Sequence, residues 1–230
     1  SSAVIVGSHH LYEYARRYNS RVVLIPTCIK FSDYAHDDRD LKRADQVTIG
    51  WLGNAPAYLP EIRFLAEVLR ALYAHTTHFR LLFIGTHGVP EIEHLFNFLP
   101  SEKRTIIDYV DARTDADLAP YLSQMDIGLM PLQDNEWNRG KCALKVIQYM
   151  ASGVATVASP VGENARIITH KKNGMLASGV KEWENSLREL IESPALRRSL
   201  GLAARTHVRE HYSYESQYDR VWSIIDSVLK

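Results

Sequence analysis

Residues 126–162 read DIGLMPLQDNEWNRGKCALKVIQYMASGVATVASPVG, and this stretch decides the fold. The apolar runs 127–132 and 155–159 predict two buried strands. Between them apolar residues recur at helical spacing, which predicts a helix that begins at Gly140 and ends at Gly153. A strand, a helix and a second strand in this order are typical of a parallel sheet with helices packed on it.

The predicted helix carries polar side chains along one side. At about 100° per residue, they fall within roughly 60° of arc. They are Lys141, Lys145, Gln148 and Ser152. Two ammonium groups, together with the free amides and the positive dipole at a helix start near Gly140, predict an anion site that suits a diphosphate. The alternative is a solvated helix face without a ligand.

The alternation of strands and helices continues on both sides of this stretch. Further strands are predicted at 47–52, 79–84 and 105–109, and further helices at 58–75, 91–98 and 115–124. After residue 162 come a short helix, a turn that leads into a strand at 175–177, and three longer helices. In such a sheet ligands bind beyond the carboxyl ends of the strands, which here lead into loops 53–57, 85–88, 131–141 and 159–164.

The beginning and the end of the chain lie outside this main pattern. Residues 1–30 show a separate strand, helix and strand, and the polar segment 31–46 has little periodicity, which predicts a linker. The main Rossmann-like domain is therefore placed at 47–211. The segment 212–230 predicts a final helix with one apolar face, which we expect to pack against another part of the protein.

Composition and charge exclude several classes of protein. The 27 Lys and Arg residues balance 27 Asp and Glu residues, so no bulk positive field attracts nucleic acid or acidic lipid. The sequence has no GxGxxG motif after the strand at 47–52 and no GxxxxGK(S/T) loop, which disfavours nicotinamide dehydrogenases and P-loop enzymes. Two distant cysteines, Cys28 and Cys142, lack metal-site spacing and favour a reducing compartment. No apolar run approaches the roughly 18 residues of a membrane span, so we expect a cytoplasmic protein.

Four motifs occur in a specific order: IGWLGN at 49–54, DLAPYLSQMDIGLMPL at 117–132, QYMASGVATVASPVGEN at 148–164 and HKKNGML at 170–176. They resemble the C-terminal, donor-binding domain of GT-B glycosyltransferases, in particular the retaining group 1 enzymes of bacteria that use nucleotide-diphosphate sugars. The resemblance implies an α/β fold with a Rossmann-like parallel sheet sandwiched by helices, the C-terminal half of a GT-B fold. It also implies that 1–30 is the strand-helix-strand tail of an N-terminal acceptor domain lying mostly outside this sequence, and that the helix at 212–230 crosses back to that domain.

The resemblance also suggests positions for the sugar and ribose contacts. The family's usual motif holds two glutamates separated by seven residues, the first contacting the donor sugar and the second the ribose hydroxyls. In this chain the second position is Gln148, whose amide can still bind a diol, and the first is Gly140. Gln148 is therefore the candidate ribose contact. The candidate sugar contacts are Glu136, Asn138, Gly140 and Cys142.

The remaining donor contacts are implied in the same way. The basic residues that usually follow the first glycine loop are absent after Gly53, so local substitutes are expected for the diphosphate. The candidate diphosphate residues are Gly53, Asn54, Arg139, Lys141 and Lys145. The candidate base residues are His87, Val110 and Arg113. No catalytic residue is assigned, and the family implies neither a metal ion nor another cofactor.

The implied function is a hexosyltransferase-type glycosyltransferase that moves a sugar from a nucleotide-diphosphate donor, such as a UDP-sugar, to a glycan or lipid-linked acceptor. The resemblance places it in bacterial surface polysaccharide biosynthesis, in the cytoplasm or peripherally at the inner membrane, with no nucleic acid partner. Without the N-terminal domain the chain is expected to bind nucleotide and transfer no sugar. The exposed inter-domain surface could also form a homodimer. Two alternatives stay open: a GT-B-type nucleotide-sugar epimerase, and a non-catalytic nucleotide-binding or assembly module.

Overall fold

The computed structural model describes residues 2–34, 46–112 and 114–229. The strands in this part of the chain are β1 (Val4–Val6), β2 (Val22–Leu24), β3 (Val47–Leu52), β4 (Phe79–Ile84), β5 (Arg104–Ile107), β6 (Ile127–Met130), β7 (Ala155–Ala158) and β8 (Met175–Leu176). Six of them form one parallel sheet in the order β5-β4-β3-β6-β7-β8, and β1 and β2 pair in parallel as a separate small sheet. The predicted α/β class with a parallel sheet is confirmed.

Helices connect the strands and cover the main sheet. They are α1 (His9–Ala15), α2 (Leu59–Tyr73), α3 (Pro90–Leu95), α4 (Asp115–Leu122), α5 (Glu136–Arg139), α6 (Leu144–Ala151), α7 (Asn164–Ile167), α8 (Gly179–Glu192), α9 (Pro194–His211) and α10 (Tyr214–Leu229). Short 3-10 turns occur at Phe31–Tyr34, Ala55–Tyr58 and Ser101–Lys103.

Each face of the main sheet carries its own apolar core. Along β3, Ile49 and Trp51 belong to the core under α2, α3 and α8, and Leu52 belongs to the core under α4, α6 and α9. Side chains of a strand alternate between its two faces, so a strand that is apolar throughout must be covered on both sides. The strand segments of the sequence are therefore almost continuously apolar because helices cover the sheet on both faces.

The prediction of a helix at 140–153 is wrong at the N-terminal end. Glu136–Arg139 forms a separate single turn with Gly140 as its C-cap, and α6 starts only at Leu144. Ala143 has φ 56°, a left-handed backbone that an α-helix cannot contain. Lys141 and Cys142 therefore lie in a loop before α6, and the predicted continuous stripe of four polar residues is broken after its first member.

The first 30 residues form the predicted strand, helix and strand, called here the N-terminal unit (β1, α1 and β2). Ser8 Oγ donates to the carbonyl of Gly140 at 3.0 Å, and the backbone N–H of His9 donates to Glu163 Oε1 at 2.8 Å. A parallel bridge joins Ile29 to Ser213. The unit thus contacts the larger α/β unit at several points, while its assignment to a separate domain stays a prediction.

Two other regions differ from what the sequence predicts: the linker at 31–46 and the packed helix at 212–230. Phe31–Tyr34, at the start of the predicted linker, forms a 3-10 turn in which Tyr34 is fully buried, whereas residues 35–45 lie outside the described part of the chain. In α10, described to Leu229, no residue is fully buried, and Tyr218 and Trp222 remain 65% and 59% exposed. The expected cover on the apolar face of α10 is not formed by the described residues.

Over the three described ranges, no helix is both long enough and apolar enough to cross a membrane.

Candidate functional site

A cavity of about 500 Å³ lies at the carboxyl edge of the main sheet and is called here the main cavity. Its walls come from the ends of β3 and β4, the segment after β5, and the loop and first turns that begin α6. Parallel strands bring their carboxyl ends to one edge, which is why loops distant in sequence meet there. No Asp or Glu lines the cavity among the residues that the structure describes.

Two lysines give the main cavity its charge. Lys141 Nζ lies 3.9 Å from the centre of the Tyr58 ring, and Lys145 Nζ lies 4.4 Å from the same centre. Lys145 Nζ also donates to the Tyr58 hydroxyl at 3.2 Å. Burial, with a smaller contribution from the charge of Lys141, lowers the pKa of Lys145 to about 8. Burial also lowers the pKa of Lys141, against an opposing effect of Glu61.

Gly53, a predicted diphosphate residue, makes room for Lys145. A Cβ at this position would lie 2.5 Å from Cε of Lys145 and 2.9 Å from the Trp51 ring. A larger residue would displace the lysine stem, so the glycine is required by packing whether or not a ligand binds. Asn54, the second residue of this loop, is exposed and does not line the main cavity.

Arg139 lies apart from the two lysines. Its Nε and Nη2 donate to Asp134 at 2.6 and 3.0 Å, and the pair borders a neighbouring cavity of about 470 Å³, called here the second cavity. His9 and Glu163 also line that cavity. The structure therefore does not bring Arg139 together with Lys141 and Lys145.

The predicted sugar contacts lie around α5 and the loop that follows it. The carbonyl of Gly140 accepts from Ser8, and a Cβ at Gly140 would make only ordinary van der Waals contacts, the nearest at 3.4 Å. Cys142 lines the main cavity. Glu136 is exposed, and Asn138 is buried and donates to Glu61 at 3.0 Å. Asn138 is thus engaged in fixing this loop.

Gln148 is 5% exposed and lines the main cavity. Its Nε2 donates to Asp115 Oδ1 at 3.0 Å. An ionised carboxylate only accepts hydrogen bonds, so this contact fixes the orientation of the amide and leaves Oε1 as the atom available to a ligand. Asp115 was not found from the sequence, where it reads only as an acid suited to the start of α4.

The far end of the main cavity has an aromatic wall. His87 is a non-glycine residue with φ 53°, and its ring lies 5.8 Å from the ring of Tyr109. Val110 also lines this end, and Arg113, the third predicted base residue, lies outside the described residues. Tyr109 was missed by the sequence reasoning, although its position at the carboxyl end of the predicted strand 105–109 could have suggested it.

The described residues contain no group of three or more His, Cys, Asp or Glu side chains that could hold a metal ion. The expected absence of a metal or other cofactor stays a prediction.

Residues 46–193 match the family described as glycosyl transferases group 1. This chain belongs to that family. Among curated proteins, the D-inositol 3-phosphate glycosyltransferase of Arthrobacter sp. strain FB24 is 30% identical over 95 residues, which are 40% of this chain and 21% of that protein. The resemblance inferred from the four motifs is confirmed.

Solved structures of glycosyltransferases share the fold. Sucrose-phosphate synthase from Thermosynechococcus elongatus superposes with a TM-score of 0.77 at 20% identity, covering 99% of this chain and 58% of that one. Anabaena Alr3699/HepE, solved in complex with UDP and glucose, gives a TM-score of 0.80 at 13% identity, covering 99% and 63%. The group 1 chain described here therefore spans less than two thirds of the length of these neighbours.

Proposed function

We propose that the main cavity binds a nucleotide-diphosphate sugar and that the chain is the donor-binding part of a glycosyltransferase. The observation that carries the proposal is the pair of ammonium groups of Lys141 and Lys145, which lie together at a sheet edge without an ion-paired carboxylate in the described residues. Desolvated positive charge without a paired carboxylate is costly, and an anionic ligand supplies the missing counter-charge.

The rest of the cavity suits the other parts of such a donor. Gln148 Oε1 accepts from a ribose hydroxyl, and the wall of His87, Tyr109 and Val110 packs against the base. In sugar transfer, negative charge develops on the departing diphosphate. The two lysines, held in place before reaction, stabilise that charge, which is the effect that usually contributes most in such sites.

The acceptor and the whole reaction belong to this proposal as well. The sugar would lie near Gly140, with the acceptor, a glycan or a lipid-linked glycan, held by a domain outside this sequence. Transfer with retention, without a metal ion, and in the synthesis of bacterial surface polysaccharide at the cytoplasmic side of the inner membrane is the context we infer. UDP is the first probe to use, since Alr3699/HepE was solved in complex with it.

A titration of UDP, GDP and uridine into the wild-type chain and into Lys145→Ala tests the proposal. Lys145→Ala should weaken UDP binding by about tenfold and leave uridine unchanged, because one charge-assisted contact to phosphate is lost. Lys172→Ala, at an exposed lysine that does not line the main cavity, is the matched control and should change neither. An equal loss for UDP and uridine would exclude a phosphate role. The chain alone should transfer no sugar, and measurable turnover would contradict that part.

A non-catalytic nucleotide-binding or assembly module is the second candidate. It is favoured by Gly140 and Gln148, which stand where the family usually has two glutamates. The same titration separates an assembly module from a donor-binding domain, because an absence of UDP and GDP binding would favour the assembly module. An epimerase would need catalytic acids in the cavity, and the lining formed by described residues holds no Asp or Glu.

A further inference from the structure

We propose that Tyr58 is the positioning residue of the diphosphate site: its ring holds the ammonium groups of Lys141 and Lys145 side by side without neutralising them. This inference rests on the proposed function of the main cavity. The two Nζ atoms lie 3.9 and 4.4 Å from the centre of one ring, and Lys145 also donates to the ring hydroxyl at 3.2 Å. Both cations thus share one aromatic side chain.

Two like charges in a partly buried place repel each other and lose hydration. Proteins usually relieve this with a carboxylate, which would also cancel the charge that a phosphate needs. Within the described ranges, neither lysine has a carboxylate oxygen inside 4.0 Å. An aromatic face attracts a cation through its quadrupole and carries no net charge. Tyr58 therefore stabilises the pair without placing a negative charge beside it that would compete with an incoming anion.

The ring of Tyr58 is itself fixed by a row of aromatic side chains that reaches into the core. Phe96 and Phe83 have their ring centres 5.0 Å apart, Phe83 and Trp51 stack at 4.8 Å, and Trp51 meets Tyr58 edge to face at 6.0 Å. Phe96, Phe83 and Trp51 are fully buried. Because these rings cannot move without disturbing the core, the position of Tyr58 is set before any ligand arrives.

The same arrangement explains how a diphosphate site can form without basic residues after Gly53. No basic residue follows Gly53 in the loop 53–58, although the family resemblance implies basic residues there. The cations come instead from the loop and first turn of α6, more than 80 positions further along the chain; the Lys145 contact with Tyr58 spans 87 residues. Tyr58, at the end of the 3-10 turn after β3, provides the aromatic surface that both ammonium groups contact at this edge of the sheet.

Inorganic pyrophosphate, titrated by calorimetry, is the probe that tests the inference. Tyr58→Phe keeps the ring and should bind pyrophosphate within about threefold of the wild type, whereas Tyr58→Leu should bind about tenfold more weakly. Tyr73→Leu, at a half-buried tyrosine of α2 that does not line the main cavity, is the matched control and should leave pyrophosphate binding unchanged. If Tyr58→Leu does not fold, Tyr58→Met removes the ring with a side chain of similar length.

A double-mutant cycle distinguishes positioning from general damage. In a Lys141→Ala background, Tyr58→Leu should reduce pyrophosphate affinity clearly less than it does in the wild type, because one of the two ammonium groups that the ring contacts is already absent. Equal binding by the Phe and Leu variants, an undiminished effect in that background, or no pyrophosphate binding by the wild type would overturn the inference. Pyrophosphate binding that follows the expected series, with UDP and GDP bound no better than pyrophosphate, would refute the proposed function and leave the role of Tyr58 in place.

Discussion

At the scale of single residues, Lys145 shows how the fold changes the chemistry of a side chain. Its stem passes beside Gly53 and its ammonium group lies against Tyr58. Burial lowers its pKa to about 8 from the usual lysine value of 10.5. Near pH 8 the free protein is therefore about half protonated at this site, whereas a lysine in water would be fully charged.

Lys145 predicts proton uptake when a diphosphate binds. The anion favours the ammonium form, so binding at pH 8 should take up a proton, and UDP affinity should fall as the pH rises from about 7 to about 9. Below pH 7 the lysine is already charged and the uptake should vanish. Calorimetry in two buffers of different ionisation enthalpy measures it directly. Lys145→Arg, charged throughout, should remove the dependence; identical heats in both buffers for the wild type would contradict the assignment.

The orientation of the Gln148 amide depends on its contact with Asp115. The helical spacing places Gln148 beside Lys145 on α6, and the family resemblance makes it the candidate ribose contact. Its orientation, however, comes from Asp115 on α4, a residue 33 positions away. That contact decides which amide atom of Gln148 is engaged and which is free, and the sequence pattern around Gln148 does not indicate it.

At the scale of elements, Tyr149 determines how α6 packs on the sheet. The Tyr149 ring is fully buried over Gly128 of β6, where a Cβ would lie 2.6 Å from the ring. The Tyr149 hydroxyl accepts from the backbone N–H of Leu52 at the end of β3, at 3.0 Å. One side chain thus fixes the distance of α6 from one strand and ties it to the end of another, which places Lys145 and Gln148 at the cavity.

Gly128→Ala should therefore lower the free energy of unfolding by about 1–3 kcal/mol, because the added methyl group overpacks the contact with Tyr149. Denaturant unfolding followed by far-UV circular dichroism measures this. Gly140→Ala is the matched control: its φ of −76° suits any residue, and its Cβ would meet only ordinary contacts. It should change stability by less than about 0.5 kcal/mol. Similar losses for both variants would mean that the contact with Tyr149 is not the cause.

At the scale of the whole molecule, the N-terminal unit joins the main α/β unit by a few polar contacts. Glu163 accepts from the backbone N–H of His9 at 2.8 Å, and its Oε1 lies 3.0 Å from Nδ1 of the same histidine. Where the chain leaves the N-terminal unit, at Ile29, it pairs with the segment between α9 and α10 at Ser213. The segment that leaves the N-terminal unit therefore runs beside the segment between α9 and α10, and Glu163 fastens the unit at the second cavity.

Glu163→Ala should loosen the N-terminal unit without unfolding the rest. Amide hydrogen exchange in α1 should accelerate by about tenfold, since hydrogen bonds to a charged acceptor are lost, while amides of β4 should be unchanged. Glu189→Ala removes an ion pair with Lys171 between two half-exposed side chains and should leave α1 unaffected. Unchanged exchange in Glu163→Ala would show that the other contacts hold the unit alone.

The sequence by itself determined the sheet and its two covered faces, because burial of a strand on both sides requires an apolar run and burial of one helix face requires apolar spacing. It also marked Lys141, Lys145 and Gln148, which are close neighbours along the chain. Only the tertiary structure decided that α6 begins after Ala143, that Arg139 turns to the second cavity, and that Tyr58 and Asp115 meet the marked residues. Periodicity records local burial; these contacts depend on one left-handed backbone position and on the order in which parallel strands bring distant loops to one edge.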